Sequence, residues 1–306
     1  IWSSLLAQGI LPMSPEKLSS CFALRSDLVK VELQNASDLS HFRVPGLNYS
    51  VTYIDDPADL QRIPSPFFVI GNGTNLLMVH PQTTPIVSLR NLHTLEFLPS
   101  NKVRVSAGVL MPQLITESKS KELGGLEFTY PIPCSVGGAL AQNFGAHGKE
   151  MSSLVRQILY YDPQKKKIGK IALENMSSYF GYRSSLFKEK GWVILEAVLA
   201  LTARPPRQIE ADLRAVTSLR QKNYPLHHTC GSIFKNPVDH YAGKLLDECG
   251  LRGYPFGTLC TSSSHANVII SNPQSTPEEI LELIAFMKQT VFQQKHIDLE
   301  EELTVY

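Results

Sequence analysis

The sequence predicts an α+β protein with two domains, on three observations. The chain of 306 residues is longer than one typical domain. Short β-like runs broken by Gly and Pro fill much of its first two-thirds. After a polar, Pro-containing break at 202–206, the pattern becomes helical. We therefore place a domain boundary between residues 204 and 205. Residues 1–34 carry no pattern that assigns them a role.

The strand predictions rest on short runs of β-branched and aliphatic residues that end at turn residues. Residues 51–54, 67–70 and 103–107 are three such runs, and 192–201 is the longest. Their spacing is typical of an α+β region with short strands.

Three helices are predicted beyond the break, and the first two lie at 209–222 and 242–249. Residues 209–222 place Leu213, Val216 and Arg220 at helical spacing. Residues 242–249 form a short helix that ends before Gly250, because glycine adopts the left-handed conformation of a helix C-terminus at little cost.

The last predicted helix has the clearest start signal. Thr276 is the predicted N-cap, Pro277 takes the first helical position, and Glu279 completes a capping box. The apolar stripe that follows predicts one face packed on the core. It consists of Ile280, Ile284, Met287 and Val291.

Composition narrows the class of protein. Hydrophobic residues make up 43% of the chain, charged residues 19%, and the formal net charge is +1. This balance favours a globular protein and gives no strongly basic face, so we expect no nucleic-acid partner. The longest apolar stretch, 192–203, contains Glu196 and is shorter than the roughly 20 residues of a membrane span. We therefore expect no membrane partner.

The cysteine pattern predicts a cytoplasmic protein. The five cysteines are odd in number and form no CxxC pair, which disfavours a disulfide framework and a zinc cluster. His227 and His228 precede Cys230, but no fourth ligand lies at useful spacing, so we expect no metal. The opening residues lack the basic start of a signal peptide. The five cysteines are Cys21, Cys134, Cys230, Cys249 and Cys260.

A first candidate loop directly follows the predicted strand 67–70. Its glycines allow a sharp turn that presents backbone N–H groups to an anion, and its polar side chains add donors. Taken alone, an ordinary turn after a strand explains the pair of glycines better than a pyrophosphate cradle does. The loop consists of Gly71, Asn72, Gly73, Thr74 and Asn75.

A second candidate loop lies in the middle of the chain and is dense in small residues. Such backbone permits the close approach of a flat or phosphate-bearing ligand, but also tight packing of elements. Two such loops in one chain strengthen the case for a nucleotide cofactor. The residues of interest are Ser135, Val136, Gly137, Gly138 and Asn143.

Three polar segments complete the candidates. Arg183 precedes a strand, where an arginine is usually a surface residue. Ser232 follows a glycine, but the G-x-S-x-G elbow of serine hydrolases is absent. The acidic run 300–302 is typical of a solvated tail, although the strand-like residues after it could turn one glutamate inward.

Taken together and in order, these segments resemble the UDP-N-acetylenolpyruvoylglucosamine reductase family. The likeness begins near Asn35 and extends to the last residues. No single motif is decisive, but the ordered set is specific. The motifs are GNGTNLL, IPCSVGGA, NFGAHG, GYRSS, CGSIFKNP, AGKLLDECGLRG, SHANVIISN and LEEEL.

The resemblance implies a fold. Residues 35–204 should form an FAD-binding domain of the vanillyl-alcohol-oxidase-like fold, built as two α+β subdomains that divide near residues 90–100. Residues 205–306 should form the substrate-binding domain. The loop 71–75 should hold the FAD pyrophosphate, and 135–139 should line the flavin with Asn143 nearby. The short passage from Arg183 to the strand at 192 looks like the family's second type, which lacks an inserted loop there.

The resemblance also implies an activity. The family's reaction uses NADPH and bound FAD to reduce UDP-N-acetylglucosamine enolpyruvate to UDP-N-acetylmuramate, for peptidoglycan synthesis and cell-wall biogenesis. Arg183 should stabilise the charge that develops on the substrate, Ser232 should donate the proton, and Glu302 should stabilise the enolic intermediate. Tyr182 and Asn236 should contact the substrate with Arg183. We expect Glu302 to be protonated or to act through a hydrogen bond, because a charged carboxylate would repel an enolate. We expect a monomer.

The chain departs from the family pattern at several positions, none of which carries a proposed catalytic group. The assignment of the family's C-terminal glutamate role to Glu302, among three consecutive glutamates, is the weakest of these assignments. Other flavin oxidoreductases of the same fold, a non-catalytic flavin or nucleotide-sugar-binding protein, and an α/β protein without a cofactor remain alternatives. The departures are Pro45, Cys134, His147, Ser264, and the pair Leu303 and Thr304.

Overall fold

A computed structural model describes residues 30–172, 177–225 and 228–306 of the chain. Most of the segment 1–34, with Cys21, lies outside the described residues, as does His227. Across the described ranges the protein mixes helices and strands in three packed lobes. The predicted α+β class is confirmed.

The first lobe is built on a four-stranded sheet in the order β1-β2-β5-β3. β1 pairs antiparallel with β2, whereas β5 lies parallel to both of its neighbours. Its elements are β1 (Lys30–Asn35), α1 (Ala36–Leu39), β2 (Asn48–Tyr53), a 3₁₀ turn (Pro57–Arg62), β3 (Phe68–Ile70), β4 (Leu76–Leu77) and β5 (Ile86–Ser88).

The second lobe is built on a five-stranded antiparallel sheet in the order β12-β11-β15-β7-β6. Its strands are β6 (Leu95–Leu98), β7 (Lys102–Ser106), β8 (Leu123–Gly124), β9 (Gly145–Ala146), β10 (Lys149–Glu150), β11 (Val155–Asp162), β12 (Lys167–Ala172), β13 (Phe180–Gly181), β14 (Ser184–Ser185), β15 (Val193–Ala200) and β16 (Thr202–Ala203). Its helices are α2 (Met111–Ser120), α3 (Val136–Ala141) and α4 (Leu186–Glu189), with 3₁₀ turns at Glu127–Thr129, Met151–Leu154 and Ser177–Tyr179.

The third lobe combines helices with a three-stranded sheet in the order β17-β18-β19. Its elements are α5 (Pro206–Asn223), α6 (Ala242–Glu248), β17 (Pro255–Phe256), β18 (Leu259–Thr261), β19 (Ile269–Ile270), α7 (Pro277–Lys295) and β20 (Thr304–Val305).

The local predictions for these elements are confirmed. β2, β3, β7 and β15 occupy the predicted strand positions, and α5 and α6 occupy the predicted helix positions. The hydroxyl of Thr276 accepts from the Glu279 backbone while the Glu279 carboxylate accepts from the Thr276 backbone, as a capping box requires. The four predicted stripe residues of α7 are buried. Gly250 has a φ of +76°, in the left-handed region.

Helix α5 packs on the second lobe. Ile209 and Leu213 join the hydrophobic core that is formed mainly by residues of that lobe. The chain turns at the prolines before the helix. The apolar face of α5 nevertheless packs against α2 and the 3₁₀ turn at 127–129 of the second lobe. The core therefore extends past the predicted boundary at 204/205, and that boundary stays a prediction.

The C-terminal strand crosses back to the first lobe. β20 pairs in parallel with β4, directly after the candidate loop 71–75. The core of the third lobe likewise includes Phe42, Val44, Leu77 and Val79 from the first lobe. The two lobes therefore share one packed interface, and the C-terminal residues are part of it.

Within the described ranges, no helix combines the length and the apolar character that crossing a membrane requires. No group of three or more His, Cys, Asp and Glu side chains gathers there as a metal site would need.

Candidate active site

The two candidate glycine loops lie against each other. A Cβ atom on Gly71 would lie only 2.8 Å from the Ser135 hydroxyl, and one on Gly73 would overlap the carbonyl oxygen of Leu39. Gly73 also has a φ of +68°, which side chains rarely adopt. Asn72 Nδ2 donates to the Pro133 carbonyl at 2.6 Å. Close packing therefore requires glycine in the first loop, and this loop is anchored to the second.

The second loop is tied to the end of β7. Ser135 caps α3, and its hydroxyl accepts from the Gly138 backbone at 3.2 Å. The backbone N–H groups of Val136 and Gly137 donate to the carbonyls of Val109 and Ala107. A Cβ on Gly137 would lie 2.8 Å from the Ala107 Cβ. No larger residue fits here without a backbone shift.

Together the loops form a cradle of backbone and small side chains. Gly71 and Asn72 are exposed, Thr74 is half-buried, and Val136 is buried beneath them. Added Cβ atoms on Gly71 and Gly138 would each meet the Ser135 hydroxyl, so the two glycines let the loops pack closely around this small side chain. Glycine-rich backbone of this kind suits phosphates and flat rings, because no bulky side chain keeps a ligand away from the loop of residues 71–75. The residues present therefore fit a dinucleotide cofactor such as FAD.

Asn75 connects the first loop to the C-terminal segment. Its Nδ2 donates to the Glu302 carbonyl at 2.9 Å, and its own carbonyl accepts from the Thr304 backbone at 3.2 Å. The side chain predicted to bind the cofactor thus holds the backbone of a predicted catalytic residue.

Arg183 lies in the two-residue turn between β13 and β14, with a φ of +52°. Its guanidinium carbon lies 5.5 Å from the centre of the Phe144 ring and 5.6 Å from that of Tyr182. Its Nε forms an ion pair with the Glu302 Oε1 at 2.8 Å. Arg183 is therefore not the free surface residue that its sequence position alone suggested.

Ser232 lies on an extended segment held between two others. Ser232 bridges to Val268, and Asn267 exchanges two side-chain hydrogen bonds with the Phe234 backbone, at 3.0 and 2.8 Å. On the other side, the Glu302 backbone N–H donates to the Ile233 carbonyl at 2.7 Å. This segment places Ser232 and Glu302 beside each other although they are far apart in sequence.

The three predicted catalytic residues line one cleft. Its volume is about 380 Å³. Tyr182 and Asn236, the other predicted substrate contacts, lie in the same cleft, and the Tyr182 hydroxyl accepts from the Asn236 backbone at 3.3 Å. The residues that line the cleft include Tyr182, Arg183, Tyr224, Ser232, Asn236, Lys244, Arg252, Ser264, His265, Asn267 and Glu302.

Comparison with known proteins identifies the family to which this chain is similar. Residues 60–163 match the model of an FAD-binding domain, and residues 222–306 match that of the UDP-N-acetylenolpyruvoylglucosamine reductase C-terminal domain. The reductase of that name from Caldanaerobacter subterraneus subsp. tengcongensis is 32% identical, over 81% of this chain and 82% of the relative. The one from Bacillus velezensis is 33% identical, over 85% and 92%.

The chain belongs to the UDP-N-acetylenolpyruvoylglucosamine reductase family. The crystal structure of the Thermus caldophilus reductase agrees, with a TM-score of 0.78 and 28% sequence identity, over 91% of this chain and all of that one. The family match and the FAD-binding domain confirm the predicted vanillyl-alcohol-oxidase-like class.

In this family member, only Glu302 of the three glutamates lines the cleft. Glu300 forms an ion pair with Lys235 at 2.5 Å and its side chain is 74% exposed, whereas Glu301 forms one with Lys288 at 2.9 Å. Burial raises the pKa of the Glu302 carboxyl above its ordinary value, and the cations of Arg183, Lys235 and Lys188 offset this only in part. Glu302 therefore holds a proton more readily than an exposed glutamate does.

Several residues of this reductase-family cleft received no role from the sequence. The Tyr224 and His265 rings stack with their centres 4.9 Å apart, and the Arg220 guanidinium lies 4.8 Å from the Tyr224 ring centre. Lys244 and Arg252 also line the cleft. All except Arg220 and Tyr224 belong to the motifs AGKLLDECGLRG and SHANVIISN, and this motif membership was the signal that could have identified them.

Proposed function

We propose that the chain catalyses the NADPH-dependent, FAD-mediated reduction of UDP-N-acetylglucosamine enolpyruvate to UDP-N-acetylmuramate, a step of peptidoglycan precursor synthesis. Family membership supports this activity. The observation that carries the proposal is the meeting of Arg183, Ser232 and Glu302 in one cleft. These are the residues to which the resemblance assigns the chemistry.

The cradle of residues 71–75 and 135–138 is the proposed FAD site. The small residues of both loops support it, because phosphates and flat rings need close approach to the backbone. When bound there, FAD supplies the relay that passes a hydride from NADPH to the substrate. The residues of the chain hold this group beside the cleft, stabilise the negative charge that develops on the substrate, and donate the proton.

Arg183 is the proposed stabiliser of negative charge. The reaction adds a hydride to the β-carbon of the enolpyruvyl group and a proton to its α-carbon, and negative charge develops on the α-carbon and carboxylate between these events. A fixed cation lowers the barrier most where charge develops in a site with little water. The Arg183 side chain is only 18% exposed and is held by Phe144 and Glu302, which supports this role.

Ser232 and Glu302 are proposed to complete the protonation. Ser232 delivers the proton to the α-carbon, and because a hydroxyl is a weak acid, the surrounding charges must favour its release. A substrate carboxylate would compete with Glu302 for Arg183. Losing that cation raises the pKa of Glu302 further. Glu302 then stays protonated and places no second negative charge beside the enolate.

The domain division belongs to the same proposal. We assign residues 35–204 to FAD binding, in two subdomains that divide near residues 90–100, and residues 205–306 to substrate binding. The contact of α5 with the second-lobe core supports a role for this helix as the joint between them.

We also propose that the protein acts in the cytoplasm as a monomer. The odd cysteine count without a CxxC pair supports a reducing compartment. Sedimentation of the holoenzyme should give a single species with the mass of one chain, and a species of twice that mass would contradict the monomer.

Product analysis tests the proposed function. The holoenzyme is incubated with NADPH and the enolpyruvyl sugar nucleotide, and the sugar nucleotide is then examined by mass spectrometry. The expected product is heavier than the substrate by two hydrogens. Oxidation of NADPH without this product would contradict the proposal.

A further inference from the structure

Asn143 lies between the proposed FAD cradle and the turn that carries Arg183. It follows the end of α3, is 1% exposed, and has a φ of +43°. A non-glycine residue in the left-handed region is unusual, and asparagine is among those that tolerate it best. A strained backbone conformation of this kind persists only where the surrounding structure enforces it. The contacts of Asn143 should therefore show what enforces it.

Both N–H groups of the Asn143 amide donate to protein groups. Nδ2 donates to the Gly181 carbonyl at 2.9 Å and to the Glu150 Oε2 at 3.0 Å. Oδ1 accepts from the Ser152 backbone at 3.0 Å. Because an amide nitrogen carries two hydrogens, both donors are used, and none is left for a cofactor at this position.

The Gly181 carbonyl belongs to the hairpin that positions Arg183. Gly181 pairs with Ser184, and these two residues flank the turn of Tyr182 and Arg183. The β13–β14 ladder consists of only two residue pairs, so it needs an outside anchor to fix the turn. The bond from Asn143 supplies this anchor at the residue where the turn begins.

The two residues after Asn143 lie beside the Arg183 guanidinium. The Phe144 ring lies 5.5 Å from the guanidinium carbon. A Cβ on Gly145 would lie 3.2 Å from the Arg183 Nη1, so glycine leaves the space that the guanidinium occupies. Three consecutive residues therefore position Arg183. Asn143 fixes the backbone of its turn, Phe144 packs against its guanidinium, and Gly145 leaves space for that group.

We propose that Asn143 is a positioning residue for Arg183 and not a hydrogen-bond donor to the flavin: its amide fixes the Gly181 carbonyl and thereby the guanidinium in the cleft. The proposal rests on the proposed function, since it concerns the step in which Arg183 stabilises charge. It replaces the cofactor-binding role that the resemblance implies for Asn143.

The first test is Asn143→Gly in the holoenzyme. Glycine accepts the left-handed backbone and removes only the amide. In rapid-mixing experiments, reduction of the enolpyruvyl sugar should slow about 10- to 100-fold, as a displaced catalytic group predicts. FAD content and the rate of flavin bleaching by NADPH should match wild type. Asn101→Gly is the matched control, because exposed Asn101 has a φ of +57° and lies outside the site.

A double mutant separates positioning of Arg183 from a general packing defect. Arg183→Ala alone should slow reduction of the sugar. If Asn143 acts through Arg183, Asn143→Gly should have little effect once Arg183 is absent. The double mutant should then reduce the sugar less than about twofold more slowly than Arg183→Ala alone. Losses that multiply, or loss of FAD from Asn143→Gly, would overturn the proposal.

Asn143→Asp provides a second variant in case the glycine variant does not fold. Aspartate keeps the size and the acceptor for Ser152, but as a carboxylate it cannot donate to Gly181. It should show the same selective loss in sugar reduction. Failure of both variants to fold would also overturn the proposal, since the fold as a whole would then need Asn143. A wild-type enzyme that never reduces the sugar would instead contradict the proposed function.

Discussion

At the scale of single residues, the site depends on how charge is placed around Glu302. The carboxyl is buried beside Arg183, with Lys235 and Lys188 farther away. Local sequence could suggest that one glutamate of the run 300–302 turns inward, but not which one. The choice is made by long-range contacts, because Lys235 and Lys288 hold Glu300 and Glu301 on the outside.

The pH dependence of sugar reduction should move when Lys235 is changed. Because Glu302 is proposed to act protonated and its pKa is raised by burial, activity is present below that pKa and lost as pH rises through it. Lys235→Met removes a cation that lowers this pKa, so the alkaline limb should move to higher pH. The limb is measured by rapid mixing of the NADPH-treated enzyme with the sugar across a pH series.

Lys288→Met is the control for this shift. Lys288 also pairs with a glutamate of the same run, but with Glu301, and it is absent from the charges that shift the pKa of Glu302. In Lys288→Met, the alkaline limb of the pH dependence of sugar reduction should stay at the wild-type pH. Equal movement in both variants, or none with Lys235→Met, would show that Glu302 does not set the limb.

At the scale of elements, the two glycine loops owe their shape to packing against β7 and α1. The sequence could identify both loops by composition, but an ordinary turn remained the better explanation of the first one. The reason for glycine became clear only from contacts with Ser135, Leu39 and Ala107, which are distant in sequence. By contrast, the start of α7 depends on neighbouring residues alone, so its capping box could be predicted in full.

Gly137→Ala should weaken FAD binding. The new methyl group would lie 2.8 Å from the Ala107 Cβ, so the backbone of the cradle must shift. Overpacking of this kind costs roughly 1–3 kcal/mol, which corresponds to about a 5- to 150-fold loss of affinity if it falls on the bound state. Flavin content and FAD titration of the apoprotein measure this.

Gly169→Ala is the matched control for the cradle variant. Its methyl group would meet the Tyr160 ring across β11 and β12, away from both loops. It should lower the melting temperature without changing the affinity for FAD. If Gly137→Ala behaves in the same way, the cradle is not the FAD site.

At the scale of the whole molecule, the site is assembled where all three lobes meet. Arg183 comes from the second lobe, Ser232 from the third, and Glu302 from a segment that crosses from the third lobe to the first. The ordered motifs could predict the family and the α+β class. They could not predict the Asn75 bond to Glu302 or the return of α5 to the second-lobe core, because both join residues distant in sequence.

We expect this three-lobed cleft to perform two half-reactions with one bound flavin. The visible absorbance of the purified protein under anaerobic conditions tests it most directly, with NADPH added first and UDP-N-acetylglucosamine enolpyruvate second. If the proposed reaction is right, the flavin bands bleach with NADPH and return when the sugar nucleotide is added. Absent bands, or bands that bleach and ignore the sugar nucleotide, would contradict it.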